Sequence, residues 1–316
     1  MDRLLTLYFA LPHDRTLGIF TKALNRIAAK ILKKVLDRII PDYFSRTQHL
    51  YPTGLNTEYR NKKVVVSLTS FPARINDVWI VVECLFRQSY KADKILLWLD
   101  EDRFVMSILP DKLKNQISRG LEIRFVKDLK SHTKYYYALS EFKDALVITF
   151  DDDCYYPKDV VRNLIEINEK YPNSISSNRV HKIKFKDNKI LPYEKWHHNF
   201  TPHKYENSYF LLTGVSGVLY PCNVYDKNLF NSNIFCEKCL FADDIWLTIN
   251  AFHQEIKIAT NCKYNKDMIS ISNSSKQRLL DFNSKKNGND QQLRSVLDYF
   301  NLGNLEKFRQ SNKNHE

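Results

Sequence analysis

The strongest constraint on the fold is a rhythm of short apolar runs between residues 62 and 170, the fourth of which ends in three consecutive aspartates. Val64-Val65-Val66-Ser67-Leu68 and the segments 94–99, 121–126 and 145–150 each have the length and content of one strand. Between them lie segments with helical spacing: one opened by Asn76 or Asp77 and running to Gln88, one over 110–119, and one over 134–142. A further helix, with Pro157 at its start, is expected to reach Lys170. Strand and helix alternating at such intervals predict an α/β fold, with a mostly parallel central sheet and helices on both faces. In sheets of this kind ligands bind beyond the carboxyl ends of the strands. The residues to inspect are therefore Thr69-Ser70-Phe71, Asp100 and Asp151-Asp152-Asp153.

Three adjacent carboxylates repel one another, and a divalent cation relieves that repulsion. Hard ions such as Mg2+ and Mn2+ prefer carboxylate oxygen and bridge to substrate phosphates. On an extended chain Asp151 and Asp153 share one side, and Asp152 points to the other. A second acidic site, Asp243-Asp244, stands before an apolar helical run. Asp243 there suits a helix cap, and either carboxylate suits a general base that takes a proton from a hydroxyl. Gly214 and Gly217 use two of only seven glycines, and permit either close approach of a ligand or a bulge.

Taken in order, Ser67-Leu68-Thr69-Ser70-Phe71-Pro72-Ala73-Arg74, Phe150-Asp151-Asp152-Asp153, Gly214 to Gly217 and Ala242-Asp243-Asp244-Ile245-Trp246 resemble the bacterial GT-A-fold glycosyltransferases of surface-polysaccharide (capsule or lipopolysaccharide) assembly, of the DxD type. The resemblance spans residues 62–262. It implies a GT-A-like fold, a nucleotide-sugar donor with UDP first in line, and a saccharide or lipid-linked saccharide acceptor. It also implies Mn2+ or Mg2+ held by Asp153 as principal ligand, with Asp151 at the metal or the ribose. Thr69, Pro72 and Arg74 would flank the nucleotide, and Lys134 and Tyr135 would contact the donor. Asp152, Gly214 and Gly217 complete the donor-binding set. Asp243 or Asp244 would be the base of an inverting transfer. The chain departs from the pattern in its Asp-Asp-Asp triplet, in Asp-Asp where many relatives have Glu-Asp, and in lacking a recognisable third metal ligand. Two rival readings are a two-metal phosphodiesterase or nuclease, and a non-catalytic carbohydrate-binding module. Trp196, His197, His198 and His203 suit either an acceptor wall or a loop with a core tryptophan.

The flanks divide the chain into a basic amphipathic helical segment (1–45), a linker (46–61), a catalytic domain (62–275) and a C-terminal helical tail (276–316). In the first segment Phe20, Leu24, Ile27, Ile31, Val35 and Ile39 recur at helical spacing, beside Lys22, Arg26, Lys30 and Lys33, and Pro41 is expected to close the helix. Three readings stay open: a helix lying on an anionic membrane, one packed on the domain, and one that binds a partner. In the tail, Asn289 and Gln292 read as a capping box before Leu293, Val296, Leu297 and Phe300. A formal charge of +12 suits an anionic partner; nucleic acid is not the partner expected. The six cysteines lack the pairing of a zinc site apart from one Cys236-x-x-Cys239. Reduced thiols without a secretory signal or an apolar span predict a cytoplasmic protein, or one peripheral on the inner face of the plasma membrane.

Overall fold

The computed structural model describes residues 2–10, 19–187, 189–271 and 288–302. Two helices precede the sheet, α1 (Asp2–Ala10) and α2 (Ile19–Thr47). The first half of the sheet holds β1 (Val64–Thr69), β2 (Lys94–Asp100), β3 (Leu121–Val126) and β4 (Leu146–Thr149), all parallel, in the order β3-β2-β1-β4. The helices between and after them are α3 (Val78–Phe86), α4 (Asp111–Lys114), α5 (Thr133–Glu141) and α6 (Val160–Lys170). The predicted strands and most helices are present. The segment 110–119 is the exception: it splits into α4 and a 3-10 turn, stopped by Gly120 at φ 111°. A side chain there would meet Leu55, its Cβ 2.6 Å from the Leu55 Cγ.

Alternation along the strands builds two cores. Val64, Val66, Leu68, Ile95, Leu97 and Leu99 join the apolar faces of α3 and α6, while Val65, Leu96, Trp98 and Val147 meet Ala138 of α5.

Beyond β4 the strands are short: β5 (Ile175–Ser177), β6 (Val180–Lys182), β7 (Phe185–Lys186), β8 (Lys189–Ile190), β9 (Glu206–Asn207), β10 (Phe210–Leu212), β11 (Val218–Tyr220) and β12 (Ile258–Ala259). The sheet continues as β4-β11-β5-β12-β9, giving eight strands, and four of its seven pairings are parallel. Strand β11 runs antiparallel to both neighbours. Helices α7 (Ser232–Lys238), α8 (Asp243–His253) and α9 (Gly288–Tyr299) enclose a further core around Phe235, Trp246 and Val296.

The N-terminal helix departs from expectation in an informative way. Pro41 lies inside α2 and does not end it. Leu36, Ile40 and Phe44 are buried in the main core, so packing on either side of the proline holds the helical turn that propensity alone would lose. The buried face is not the one the sequence pattern picked out. Ile27, Ile31, Val35 and Ile39 face solvent; the side chains of Phe20, Lys22, Leu24 and Arg26 lie outside the described residues. The following segment is stitched down, with Gly54 N–H donating to Arg119 O at 2.9 Å and Asn56 N–H to Ala92 O at 2.7 Å. No described helix is long and apolar enough to cross a membrane. At the other end α9 is described over Gly288–Tyr299, so Asn289 is within the helix, and Gln292 Oε1 accepts from Phe241 N–H at 2.8 Å. Residues 276–287 and 303–316 of the expected tail lie outside the described residues.

Candidate active site

The sheet order reverses between β1 and β4: the chain steps from β1 to β2 to β3 on one side, then returns to lay β4 on the other. At such switch points in open sheets the loops leaving adjacent strands diverge and a ligand crevice forms at the strands' carboxyl ends. Thr69-Ser70 sits at one lip and the aspartate triplet at the other. Asp100, at the end of β2, lies one strand further away and is held by its own loop, pairing with Arg103 at 3.1 Å and accepting from Asp102 N–H.

The triplet does not alternate as an extended chain would: it bends at residues 152 and 153, Arg74 meets both Asp152 and Asp153, and Asp151 turns to Lys134. Asp152 is buried and accepts from Ser70 Oγ–H and from Arg74, each at 2.6 Å. Burial is the largest influence on it and pushes its pKa up to about 6, against the opposing pull of Arg74. Arg74 reaches Asp153 as well, at 3.1 Å. Burial disfavours the Arg74 cation, and the carboxylates of Asp152 and Asp153 more than restore it. Asp151 keeps more exposure than its neighbours and accepts from Lys134 Nζ at 2.6 Å.

Lys134, in the first turn of α5, brings in the second acidic site. Its ammonium lies 3.0 Å from the buried Asp243 Oδ2, close enough for an ion pair. Burial works against the Lys134 charge, and Asp151, Asp243 and Asp244 outweigh it, so its pKa stands well above the ordinary value. Asp243 and Asp244 occupy the first turn of α8, where the helix dipole favours negative charge. Their environments split them. Burial would raise Asp243, but Lys134 and then His132 hold it below the ordinary carboxylate range. Asp244, raised first by burial and then by Asp243, is pushed up to about 8.

The glycine loop closes the site through strand register. Because β11 is antiparallel to β4, its first residue Val218 pairs with Thr149, the last of β4. Gly214 and Gly217 are thereby delivered beside the triplet. Gly214 N–H donates to Asp244 Oδ1 at 2.9 Å. A Cβ on Gly214 would lie 3.1 Å from both Asp244 Oδ1 and Lys134 Nζ, and 3.6 Å from Asp151 Oδ1. At Gly217, φ is 90° and a Cβ would come within 2.4 Å of the Phe150 ring, so no other residue fits without displacement.

Several predicted residues lie elsewhere. Tyr135 does not face the crevice: it is fully buried, with its hydroxyl on His132 Nδ1 at 2.8 Å. Neighbouring helix positions point about 100° apart, so Lys134 enters the site and Tyr135 the core behind it. Thr69 Oγ1 is bonded to Trp98 O at 2.9 Å, and Pro72 is exposed at the lip. Trp196 is a core residue whose indole donates to Leu191 O. His198 stacks edge-on with His181, and His197 lies over Phe200. Cys239 is buried with its thiol on Ala242 O, whereas Cys236 is exposed, so the pair does not converge.

Two supporting residues were not anticipated. Tyr156 accepts from Asp151 N–H at 3.1 Å and reaches Val215 O at 3.0 Å, tying the triplet to the glycine loop. His132 is fully buried, and burial lowers its pKa to about 4, so it is neutral. Its Nε2 faces Cys239 O, an acceptor, so Nε2 carries the proton and Nδ1 accepts from Tyr135. Its ring stacks on Phe235 at 4.3 Å. Neither residue has a sequence signal, because each acts on partners set by tertiary structure.

Among the described residues no three His, Cys, Asp or Glu side chains form a protein-only metal cage. Asp151 and Asp153 each retain carboxylate lone pairs beyond those engaged by Lys134 and Arg74. Mg2+ and Mn2+ are commonly held by one or two carboxylates plus substrate phosphates. The residues present fit that shared arrangement and not a closed cage. Charge argues the same way: five carboxylates face two fixed cations, a formal excess of three negative charges when all are ionised. An anionic ligand entering alone would be repelled.

No family model and no curated protein matches the chain. Solved structures do show likeness. A CMP-2-keto-3-deoxy-manno-octonic acid synthetase complexed with CTP aligns at 10% identity over 63% of this chain and 89% of its own, with a TM-score of 0.38. An inositol-1-phosphate CTP transferase from T. maritima aligns at 9% identity over 64% and 86%, with a TM-score of 0.34. A mannosyltransferase from Pyrobaculum calidifontis, in complex with GDP-Man and Mn2+, aligns at 15% identity over 48% of this chain and 46% of that one, with a TM-score of 0.31. Likenesses this distant say nothing of the chemistry of the present chain.

Proposed function

We propose that the chain is a metal-dependent glycosyltransferase, moving a sugar from a nucleoside-diphosphate sugar, UDP first in line, to a hydroxyl of a saccharide or lipid-linked saccharide. The observation that carries this reading is the convergence of Asp151, Lys134, Asp243, Asp244 and the Gly214 amide at the switch point of the sheet. The site has one carboxylate group suited to a diphosphate-bound cation and another suited to a hydroxyl.

As the bond between the sugar's anomeric carbon and the diphosphate breaks, its electron pair passes to the phosphate oxygen. Mn2+ or Mg2+ held by Asp151 and Asp153, together with diphosphate oxygens, would supply Lewis-acid stabilisation of that leaving group. Arg74 and Lys134 add fixed positive charge in the same region. Asp152 orients Arg74, and Asp243 orients Lys134. The acceptor hydroxyl attacks the anomeric carbon from the opposite face and yields its proton to Asp244. In its ionised form a carboxylate raised to about 8 is a far stronger base than an ordinary one, and that form grows as pH rises through about 8; the Gly214 amide holds it in place. This divides the two acidic residues that the sequence leaves equivalent: Asp244 is the base and Asp243 the positioning residue. The two-metal phosphodiesterase reading loses ground, because the Lys134 ammonium already stands between Asp151 and Asp243.

The test is a thermal shift. UDP, GDP and CDP are each added with Mn2+ or with EDTA; at least one raises the melting temperature in Mn2+ only, and Asp153→Ala removes the rise. If no nucleoside diphosphate gives a metal-dependent shift, the donor-site reading is wrong.

A further inference from the structure

Helix α2 buries one face and leaves a second apolar face uncovered. Ile27, Ile31 and Ile39 are 54%, 58% and 53% exposed, with Val35 between them and Tyr43 at the end. Each step of four residues turns a helix by about 40°, so Ile27 to Ile39 share an arc of about 120°. Leu36, Ile40 and Phe44, on the opposite side, are buried against the domain. Lys30 and Lys34, both exposed, line one edge of the apolar arc, and the exposed Arg38 falls just inside it. Asp42, at the C-terminal end of the helix, falls within the same arc and is matched there by Arg46 at 3.1 Å.

We infer that this face is a docking surface for an anionic lipid bilayer. The spacing selects the occupant. A second copy joined through a helical seam needs apolar residues every 3.5 residues on average. A strict four-residue step carries the stripe around the helix and off such a seam. A planar interface accepts a broad arc, with apolar side chains at the acyl boundary and basic ones at the headgroups. The charge fits, since a basic edge draws the surface toward anionic headgroups.

The docked helix is also tied to the candidate site. Asp37 accepts from the Tyr155 hydroxyl at 2.9 Å, two residues beyond the triplet. Lys33, paired with Asp37, donates to Ser270 O. Ser270 is bridged to Cys154, and Ile271 N–H donates to Asp153 O at 2.8 Å. A bilayer held by α2 is thus coupled through two short connections to the segment carrying the acidic triplet. The docking surface lies outside the site, and its test does not depend on the donor reading.

The experiment is flotation of the full chain with phosphatidylcholine vesicles, with and without phosphatidylglycerol. The chain floats with the anionic vesicles and less so in high salt. Ile31→Ser with Ile39→Ser, at exposed positions, leaves the melting temperature unchanged and lowers the bound-to-free ratio about tenfold or more. Lys30→Glu with Lys34→Glu keeps the apolar arc and loses the preference for phosphatidylglycerol. Three outcomes overturn the proposal: a wild-type chain that stays with the soluble fraction, apolar variants that float like wild type, or a wild-type dimer in light scattering that the Ile31→Ser, Ile39→Ser change dissolves.

Discussion

Replacing Lys134 by methionine keeps the length of the side chain and removes the one ammonium shared by Asp151 and Asp243. Asp243 is then a carboxylate buried without a cation. Breaking one partner of a buried ion pair costs about 3–5 kcal/mol while the remaining charge stays ionised. Asp243 can escape by taking a proton, and that sets a ceiling. Holding a carboxyl neutral costs about 1.4 kcal/mol for every pH unit above its unfolded value of about 3.9, hence about 4 kcal/mol near pH 7 and about 1.5 kcal/mol near pH 5. In the wild-type protein the folded Asp243 is depressed, so its stabilising contribution is present above the unfolded value and lost only as pH falls through the folded one. In the variant the folded value is raised, so stability is retained at low pH and lost as pH rises. Lys134 also acts on Asp244 and Asp151, so the difference between the two proteins reports the loss of that ammonium from all three carboxylates together. Urea denaturation of both proteins near pH 5 and near pH 7 reads the two costs. A cost that is equal at the two pH values, or below about 1 kcal/mol near pH 7, refutes the reasoning.

Gly214→Ala places a methyl group 3.1 Å from Asp244 Oδ1 and Lys134 Nζ. It should lower turnover by about tenfold to a hundredfold while leaving the urea midpoint nearly unchanged; full turnover of a correctly folded variant would remove Gly214 from the reacting geometry. Glu83→Gln strikes far from the site. Glu83 is buried and bonded to Arg87 at 2.7 and 3.0 Å and to Arg119 at 2.7 and 3.1 Å, so losing its charge should cost about 3 kcal/mol of unfolding free energy in urea. Arg87 also donates to Thr47 Oγ1 at 3.0 Å, so proteolysis near the end of α2 should quicken in the same variant.

The legible parts of this fold are those written in short windows. Strands β1 to β4 are apolar runs bounded by turns, and the triplet directly follows one of them, so the sheet and the triplet's position at a strand's carboxyl end could be read in advance. Pro41 misled because its own preference is local, whereas Leu36, Ile40 and Phe44 gain burial that overrides it. The split between Lys134 and Tyr135 needed knowledge of which face of α5 meets the sheet. The roles of Asp243 and Asp244 needed the Lys134 contact, made between residues more than a hundred positions apart. The Glu83, Arg87 and Arg119 cluster gave no signal for the same reason. The amphipathic helix was legible as a pattern but not as a surface. Its apolar stripe suited docking to the domain, and the structure uses a different stripe for that purpose.

The double attachment of Lys134 bears on how the protein matures as it emerges from the ribosome. With only the first half of the sheet in place, the triplet faces Arg74 and Lys134 and carries an excess of one negative charge. The arrival of Asp243 raises that excess to two and draws Lys134 into a second ion pair, and Asp244, its pKa pushed up, adds a third charge only when it ionises. The appetite for a cation is therefore created late, when α8 docks. A nascent chain that has folded only its first four strands has the triplet but little electrostatic reason to capture a divalent ion.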